Sequence, residues 1–74
     1  MVTKYESGTG PYTVFFETGS LLDGTKMAWL IRRNTLKHAK IEALEQAKIR
    51  GLVVAVHYRG REIWETRGTE SAKG

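Results

Sequence analysis

The sequence predicts an α+β fold, a small ββαββ two-layer domain in which one helix packs on a mainly antiparallel sheet. Three observations lead to this prediction. Residues 35–50 form an uninterrupted helical pattern, and strand-like segments stand in pairs on both sides of it. Alanines recur along one side of the helix at spacings of three and four residues, so the helix can lie close to the sheet.

The first strand pair precedes the helix. Residues 12–18 are rich in aromatic and β-branched side chains and predict a strand. Residues 26–33 alternate in a way that predicts its hairpin partner, although their Met, Ala and Leu residues also fit a helix. A short additional strand is compatible with residues 2–5, with a turn over 7–10.

The helix has recognisable ends. Asn34 is predicted as the N-cap, because its side-chain oxygen can accept a hydrogen bond from a free helix N–H. Gly51 stands where a left-handed C-terminal cap belongs, and Lys48 and Arg50 suit the dipole of the last turn. The face predicted to meet the sheet consists of Leu36, Ala39, Ala43, Leu44 and Ala47.

The second strand pair follows the helix, with strands at 52–58 and 61–66 joined by a two-residue turn at Arg59-Gly60. This turn predicts the cross-strand pairs Tyr58 with Arg61, His57 with Glu62, Val56 with Ile63, and Ala55 with Trp64. In that register Ile63 shares a face with Val56, and Trp64 lies on the opposite face.

Length and composition limit the class of protein. The 74 residues allow one domain, predicted over 1–66, followed by a disordered tail over 67–74. There is no cysteine, which favours a cytoplasmic location. The N-terminus has no apolar run typical of a signal peptide, and the longest apolar run, 52–56, predicts no contact with a membrane interior.

Catalytic chemistry is not indicated. The serines fall in predicted loops or the tail, the carboxylates are scattered, and His57 is explained as a cross-strand partner of Glu62. No glycine-rich stretch precedes a helix with the lysine of a phosphate-binding loop. We therefore expect a protein that is not an enzyme and has no cofactor and no metal site.

Positive charge is concentrated around the start of the helix. The formal net charge is +4, and the segment 25–41 contains no acidic residue. Free backbone N–H groups and cations together can hold an anion. The predicted anion- or partner-binding residues are Arg32, Arg33, Lys37 and Lys40. The alternative is a solvated face whose cations only keep the protein soluble.

Apolar side chains exceed what one helix can cover. Adjacent residues such as Phe15 and Phe16 must point to opposite faces of their strand. An apolar surplus on both faces is typical of a partner surface, often a second copy of the chain, and the alternative is coverage by the protein's own loops. The candidate interface residues are Phe15, Trp29, Ile41, Ile49 and Trp64.

The segment 34–66 also resembles small bacterial and phage families in which a helix with Glu-Ala and spaced alanines is followed by Gly, a valine strand and a Gly turn. Here these features are residues 41–47, Gly51, 54–57 and Gly60. The layout is similar to phage-encoded proteins that bind and inhibit host machinery, such as RNA polymerase inhibitors and anti-CRISPR proteins. The resemblance implies a phage or mobile-element origin and identifies no functional residue.

These observations together predict a small non-enzymatic binding protein of the inhibitor or adaptor type that grips an acidic surface of a partner protein. Two alternatives stay open. The basic junction could bind nucleic acid directly, with its cations on phosphates, or the chain could be a structural homo-oligomer.

Overall fold

A computed structural model of the chain describes residues 2–19 and 24–67. The elements, in chain order, are β1 (Val2–Gly8), β2 (Tyr12–Gly19), β3 (Lys26–Arg33), α1 (Leu36–Arg50), β4 (Val54–Tyr58) and β5 (Arg61–Thr66). One helix packs on one sheet, so the predicted two-layer α+β domain is confirmed. Residues 68–74 of the predicted tail lie outside the described residues.

The five strands form one mixed sheet in the order β1-β3-β2-β4-β5. Only the β1–β3 pair is parallel, and the β3–β2, β2–β4 and β4–β5 pairs are antiparallel. The short strand considered at 2–5 is thus a seven-residue edge strand. The link from β1 to β2 must pass the end of β3. It comes so close to the Arg33 carbonyl that a Cβ at position 10 would overlap it, and Gly10 fits there because it has no Cβ.

The helix covers one face of the sheet, and the core lies between the two layers. Three alanines of α1, Ala39, Ala43 and Ala47, are almost fully buried. They pack against valines and one phenylalanine of β2 and β4, namely Val14, Phe16, Val54 and Val56. The predicted alanine stripe is therefore confirmed, and it brings the helix backbone close to the sheet.

The start of the helix differs from the prediction by one residue. Thr35, not Asn34, is the N-cap, with an extended backbone and with its Oγ1 accepting a hydrogen bond from the His38 amide at 3.2 Å. The Thr35 carbonyl accepts the first helical bond from Ala39 at 3.0 Å. At the other end Gly51 adopts the left-handed conformation, and its amide donates to the Ala47 carbonyl at 2.8 Å, as predicted.

The β4–β5 hairpin has the predicted turn but a different register beyond it. Tyr58 pairs with Arg61 and His57 with Glu62, as expected. A bulge between Val56 and His57 then shifts the pairing by one residue, so Val56 pairs with Trp64. The predicted placement of Trp64 on the face opposite Val56 is therefore wrong. A bulge inserts one extra residue into a strand, and cross-strand pairing beyond it changes accordingly.

Candidate binding surfaces

The two arginines at the end of β3 point to opposite faces of the sheet. Arg32 lies on the face that the helix leaves open, where its Nη2 is 3.2 Å from Glu6 Oε1. Arg33 lies on the helix face, where its Nη2 donates a hydrogen bond of 2.8 Å to Glu42 Oε1. Adjacent residues of a strand cannot share a face, so the sequence-predicted basic group is divided between two sides of the domain.

The Arg33–Glu42 pair is part of a small polar network on the flank of α1. Gln46 Nε2 donates to Glu42 Oε2 at 2.8 Å, and Arg50 Nε donates to Gln46 Oε1 at 2.9 Å. Burial alone would raise the pKa of Glu42, but the hydrogen bonds from Gln46 and Arg33 and the charge of Arg33 outweigh it and lower that pKa. Arg33 is thus engaged in joining β3 to the helix.

The two lysines of the predicted basic group lie on the other flank of α1, towards β5. Lys40 places its Nζ over the ring of Trp64, 5.3 Å from the centroid. Lys37 is exposed and precedes Lys40 by three residues, so the two lysines lie on the same side of the helix. The structure therefore brings Lys37 and Lys40 together and separates both from Arg33.

The β4–β5 turn adds two further cations at the end of the sheet where the helix begins, because the register joins Arg61, Tyr58, Tyr12 and Arg33 in one row across the strands. Arg59 Cζ lies 5.4 Å from the centroid of the Tyr58 ring, and Tyr58 packs on Tyr12 with a centroid distance of 4.9 Å. Arg61 is the cross-strand partner of Tyr58 and lines the same shallow depression as Arg59 and the exposed Ile63. We call this region the basic–aromatic surface and define it by Tyr12, Lys37, Lys40, Tyr58, Arg59, Arg61 and Trp64.

Sequence reasoning did not include Arg59 and Arg61 in the binding site. They stand in the sequence beside Tyr58 and Trp64, a combination that also fits base stacking, but aromatic side chains in strands more often belong to the core, so the arginines were not included. The available signal was the occurrence of arginines on both sides of Gly60 directly after Tyr58, a basic and aromatic combination.

The five predicted interface residues do not form one surface. Trp29 and Trp64 lie half-buried on the helix face and pack against the core. Phe15 lies on the open face of the sheet, half-buried. Ile41 and Ile49 point to solvent from α1, with exposed fractions of 47% and 77%. The apolar surplus is thus distributed over three regions.

The ring of Trp29 contacts other side chains of the same domain. Its ring stacks on Tyr5 of the edge strand with a centroid distance of 4.5 Å and lies 5.8 Å from the ring of Phe16. The guanidinium of Arg50 lies 4.9 Å from the Trp29 centroid and 5.1 Å from that of Phe16. These contacts explain how β1, which lies beyond the helix, is held to the rest of the domain.

The open face of the sheet has an apolar centre between charged flanks. Phe15 pairs with Leu30 on one side and with Ala55 on the other, in the three central strands. Ala28 and Ala55 are buried on this face, on which no helix or strand of residues 2–19 and 24–67 packs. A shallow depression of about 400 Å³ lies over β2, β4 and β5, lined by Phe15, Phe16, Glu17, Leu52, Val53, Ala55, His57, Glu62 and Glu65.

Neither histidine belongs to a group with metal-site geometry. Within residues 2–19 and 24–67, no cluster of three or more His, Cys, Asp or Glu side chains could hold a metal ion. His57 packs on Phe15 with a centroid distance of 5.6 Å, and His38 Nδ1 lies 3.0 Å from Thr35 Oγ1. In the same part of the chain, no helix combines the length and the apolar character that crossing a bilayer requires.

Comparison with known proteins adds no relative: no family model, curated protein or solved structure matches the chain. The functional argument therefore depends on the surfaces described above.

Proposed function

We propose that the protein is a non-enzymatic binding module that acts in the cytoplasm as an inhibitor or adaptor, gripping an acidic surface of a partner protein. The observation that carries this proposal is the basic–aromatic surface. Four of its members are cations, Lys37, Lys40, Arg59 and Arg61, and no salt bridge to a carboxylate is found for them among the described residues. Arg32 and Arg33, by contrast, already have carboxylate partners at 3.2 and 2.8 Å.

The chemistry of this surface suits protein carboxylates. Arginine offers a planar fork of donors that matches a carboxylate, and Arg, Tyr and Trp are the residue types that dominate binding energy at protein interfaces. Unpaired cations on one side of a domain also accelerate encounter with an acidic surface. The rings of Trp64 and Tyr58 lie beneath Lys40 and Arg59 and limit the freedom of these two cations, so less entropy is lost on binding.

The orientation of the rings favours a protein partner over nucleic acid. Sequence-tolerant binding of single strands depends on aromatic faces that are free to stack with bases. Here Lys40 lies over Trp64, and Tyr58 has Arg59 over it and Tyr12 packed against it. Bases would have to displace these contacts, whereas carboxylates can approach the cations from outside.

The test uses two fluorescent probes of defined chemistry, poly-glutamate as a chain of carboxylates and oligo-thymidylate as a single strand with phosphates and bases. We expect poly-glutamate to bind and to be released by salt, because the contact is ionic. Lys37→Glu and Arg61→Glu, each alone, should weaken this binding about threefold or more, which corresponds to roughly 0.7 kcal/mol per lost rim contact.

The matched control is Lys48→Glu, the same charge change at an exposed position in the last turn of α1. It should leave poly-glutamate binding within about twofold of the wild type, because it lies at the opposite end of the helix. Equal losses in all three variants would mean that net charge alone governs binding and would overturn the site. Tighter binding of oligo-thymidylate that Tyr58→Leu abolishes would replace the proposal with the nucleic-acid alternative.

A further inference from the structure

We propose that the edge strand β1 pairs antiparallel with β1 of a second copy of this chain, about a two-fold axis that passes through the sheet at Tyr5. In this register Lys4 of each copy lies opposite Glu6 of the other, and the two sheets join into one continuous sheet. β1 lies at the edge opposite β5 and the β4–β5 turn. The contact is therefore separate from the basic–aromatic surface, and the two proposals can fail independently.

The backbone of β1 offers a regular edge for such pairing. β1 pairs with β3 residue by residue over Val2–Gly8, and within residues 2–19 and 24–67 no strand pairs with its other side. An edge strand presents a row of N–H and C=O groups that a further strand can bind. The opposite edge strand, β5, has a bulge in its pairing with β4, and a bulge twists an edge away from a partner. β1 is therefore the edge that better fits a further strand.

The charges of β1 define the register. Lys4 and Glu6 are exposed and lie on the open face, because their partners in β3 are Ala28 and Leu30. Residues directly opposite each other in an antiparallel pair lie on the same face, and opposite charges there stabilise the pair. An axis through Tyr5 gives two such pairs. An axis through Lys4 or Glu6 would instead place that residue opposite its own copy, so that like charges meet.

The second copy supplies a partner that Lys4 lacks within its own chain. No salt bridge of Lys4 is found among the described residues. Glu6 contacts Arg32 at 3.2 Å, but its side chain remains 50% exposed. A carboxylate has two oxygens and can accept donors from more than one cation. Glu6 can therefore keep Arg32 and also bind Lys4 of the second copy.

An aromatic row on the other face ends at the same point. Phe16, Trp29 and Tyr5 are register partners across β2, β3 and β1. Their rings are stacked, with centroid distances of 5.8 Å from Phe16 to Trp29 and 4.5 Å from Trp29 to Tyr5. Tyr5 ends the row at the edge and is 43% exposed. The proposed axis places Tyr5 opposite Tyr5 of the second copy, so the row continues across the contact. Charges on one face and rings on the other thus favour the same centre.

The helix leaves room for the second copy. α1 packs chiefly on β2 and β4, and β3 separates β2 from β1. A two-fold axis perpendicular to the sheet keeps both helices on the same side of the joined sheet, with β3 and β1 of both copies between them. Only one strand of each copy takes part, so the interface is small. We therefore expect a weak dimer with micromolar affinity.

The experiment measures molar mass by light scattering and association by sedimentation velocity. The wild type should be a dimer at high micromolar concentration. Two single variants are prepared, Lys4→Glu and Glu6→Lys. Each alone should associate about tenfold more weakly, because both cross-strand pairs then oppose like charges. The two variants change the net charge in opposite directions, so a common loss cannot come from net charge.

The decisive protein carries both changes, Lys4→Glu with Glu6→Lys. Its net charge equals that of the wild type, and in the proposed register each pair again joins opposite charges. Its association should return to within about threefold of the wild type. An equimolar mixture of the two single variants should recover in the same way, because one copy then carries two carboxylates and the other two lysines.

The controls separate the register from other effects of the same substitutions. Lys48→Glu and Glu45→Lys make the same charge changes at exposed positions of α1 and should not alter association. Arg32→Gln removes the contact of Glu6 within its own copy and leaves β1 unchanged, so it should not weaken association. Circular dichroism of each variant establishes that it is folded.

Three results would overturn the proposal. The first is a wild-type protein that stays monomeric at high micromolar concentration. The second is a pair of folded single variants that associate as well as the wild type. The third is a folded protein with both changes that associates no better than the single variants, since only a contact between Lys4 and Glu6 of two copies predicts recovery.

Discussion

Arg33 Nη2 donates a hydrogen bond of 2.8 Å to Glu42 Oε1 and so ties the end of β3 to the second turn of α1. The Glu42 side chain is only 17% exposed, and that of Arg33 is 34% exposed. The bond is therefore formed at the edge of the core, between the two layers. Arg33, which the sequence predicts as a binding residue, is thus part of a structural contact.

This contact predicts a pH-dependent part of the stability. The pKa of Glu42 is lowered in the folded protein below its ordinary value of 4.5. A depressed pKa contributes stability that is fully present above the unfolded value and is lost as the pH falls through the folded value. Glu42→Gln should reduce the free energy of unfolding by about 1 kcal/mol at neutral pH and by progressively less below pH 4.5.

Thermal unfolding of wild type and Glu42→Gln over this acidic range measures the difference. The control is Glu45→Gln, an exposed carboxylate on the same helix. A stability gap between wild type and Glu42→Gln that stays constant as the pH falls would show that the charge of Glu42 is not what stabilises the contact.

The position of the helix N-cap predicts unequal effects of two neighbouring substitutions. Thr35→Ala removes the acceptor of the His38 amide and should lower the free energy of unfolding by about 0.5–2 kcal/mol. Asn34→Ala removes an exposed side chain outside the cap and should change stability by less than about 0.5 kcal/mol. Chemical denaturation of the two proteins makes the comparison, and the reverse order would restore Asn34 as the cap.

The close approach at Gly10 predicts a severe effect of a single methyl group. Gly10 has φ of 126°, and an added Cβ would overlap the Arg33 carbonyl, where β3 leaves the sheet for the helix. Gly10→Ala should therefore cost about 3 kcal/mol or more, from backbone strain and steric overlap combined.

Gly60→Ala is the matched control for this prediction. Gly60 also has a positive φ, 83°, but an added Cβ meets nothing within 4 Å. Its substitution should cost about 1 kcal/mol, from the backbone conformation alone. Comparable losses in the two proteins, measured by chemical denaturation, would mean that the link between β1 and β2 can move away from the end of β3.

Local patterns were sufficient for most of the secondary structure. The helix ending at Gly51 and the turn at Arg59-Gly60 depend on propensities and capping that act within a few residues, so they could be predicted correctly. The observed N-cap, Thr35, lies one residue after the predicted one, Asn34. Both residues are good caps, and only the path of the chain from β3 decides between them.

The candidate site was harder to predict, because it depends on the face of the sheet to which each side chain points. Arg32 and Arg33 are adjacent in the chain but separated by the sheet, whereas Lys40 and Trp64 are distant in the chain and in contact. The bulge after Val56 decides the face of Trp64, and a bulge has no distinct signal in this segment.

The sequence by itself determined the helix with a strand pair on each side of it, the alanine face of the helix and the two-layer class, because periodicity and turn chemistry are encoded locally. Only the tertiary structure decided that β1 pairs in parallel with β3, that Arg33 is bound by Glu42, and that the β4–β5 turn with Arg59 and Arg61 lies at the end of the sheet where the helix begins. Strand order and register follow from packing the whole sheet against one helix. That packing is a balance of contacts between residues far apart in the chain, which local patterns do not contain.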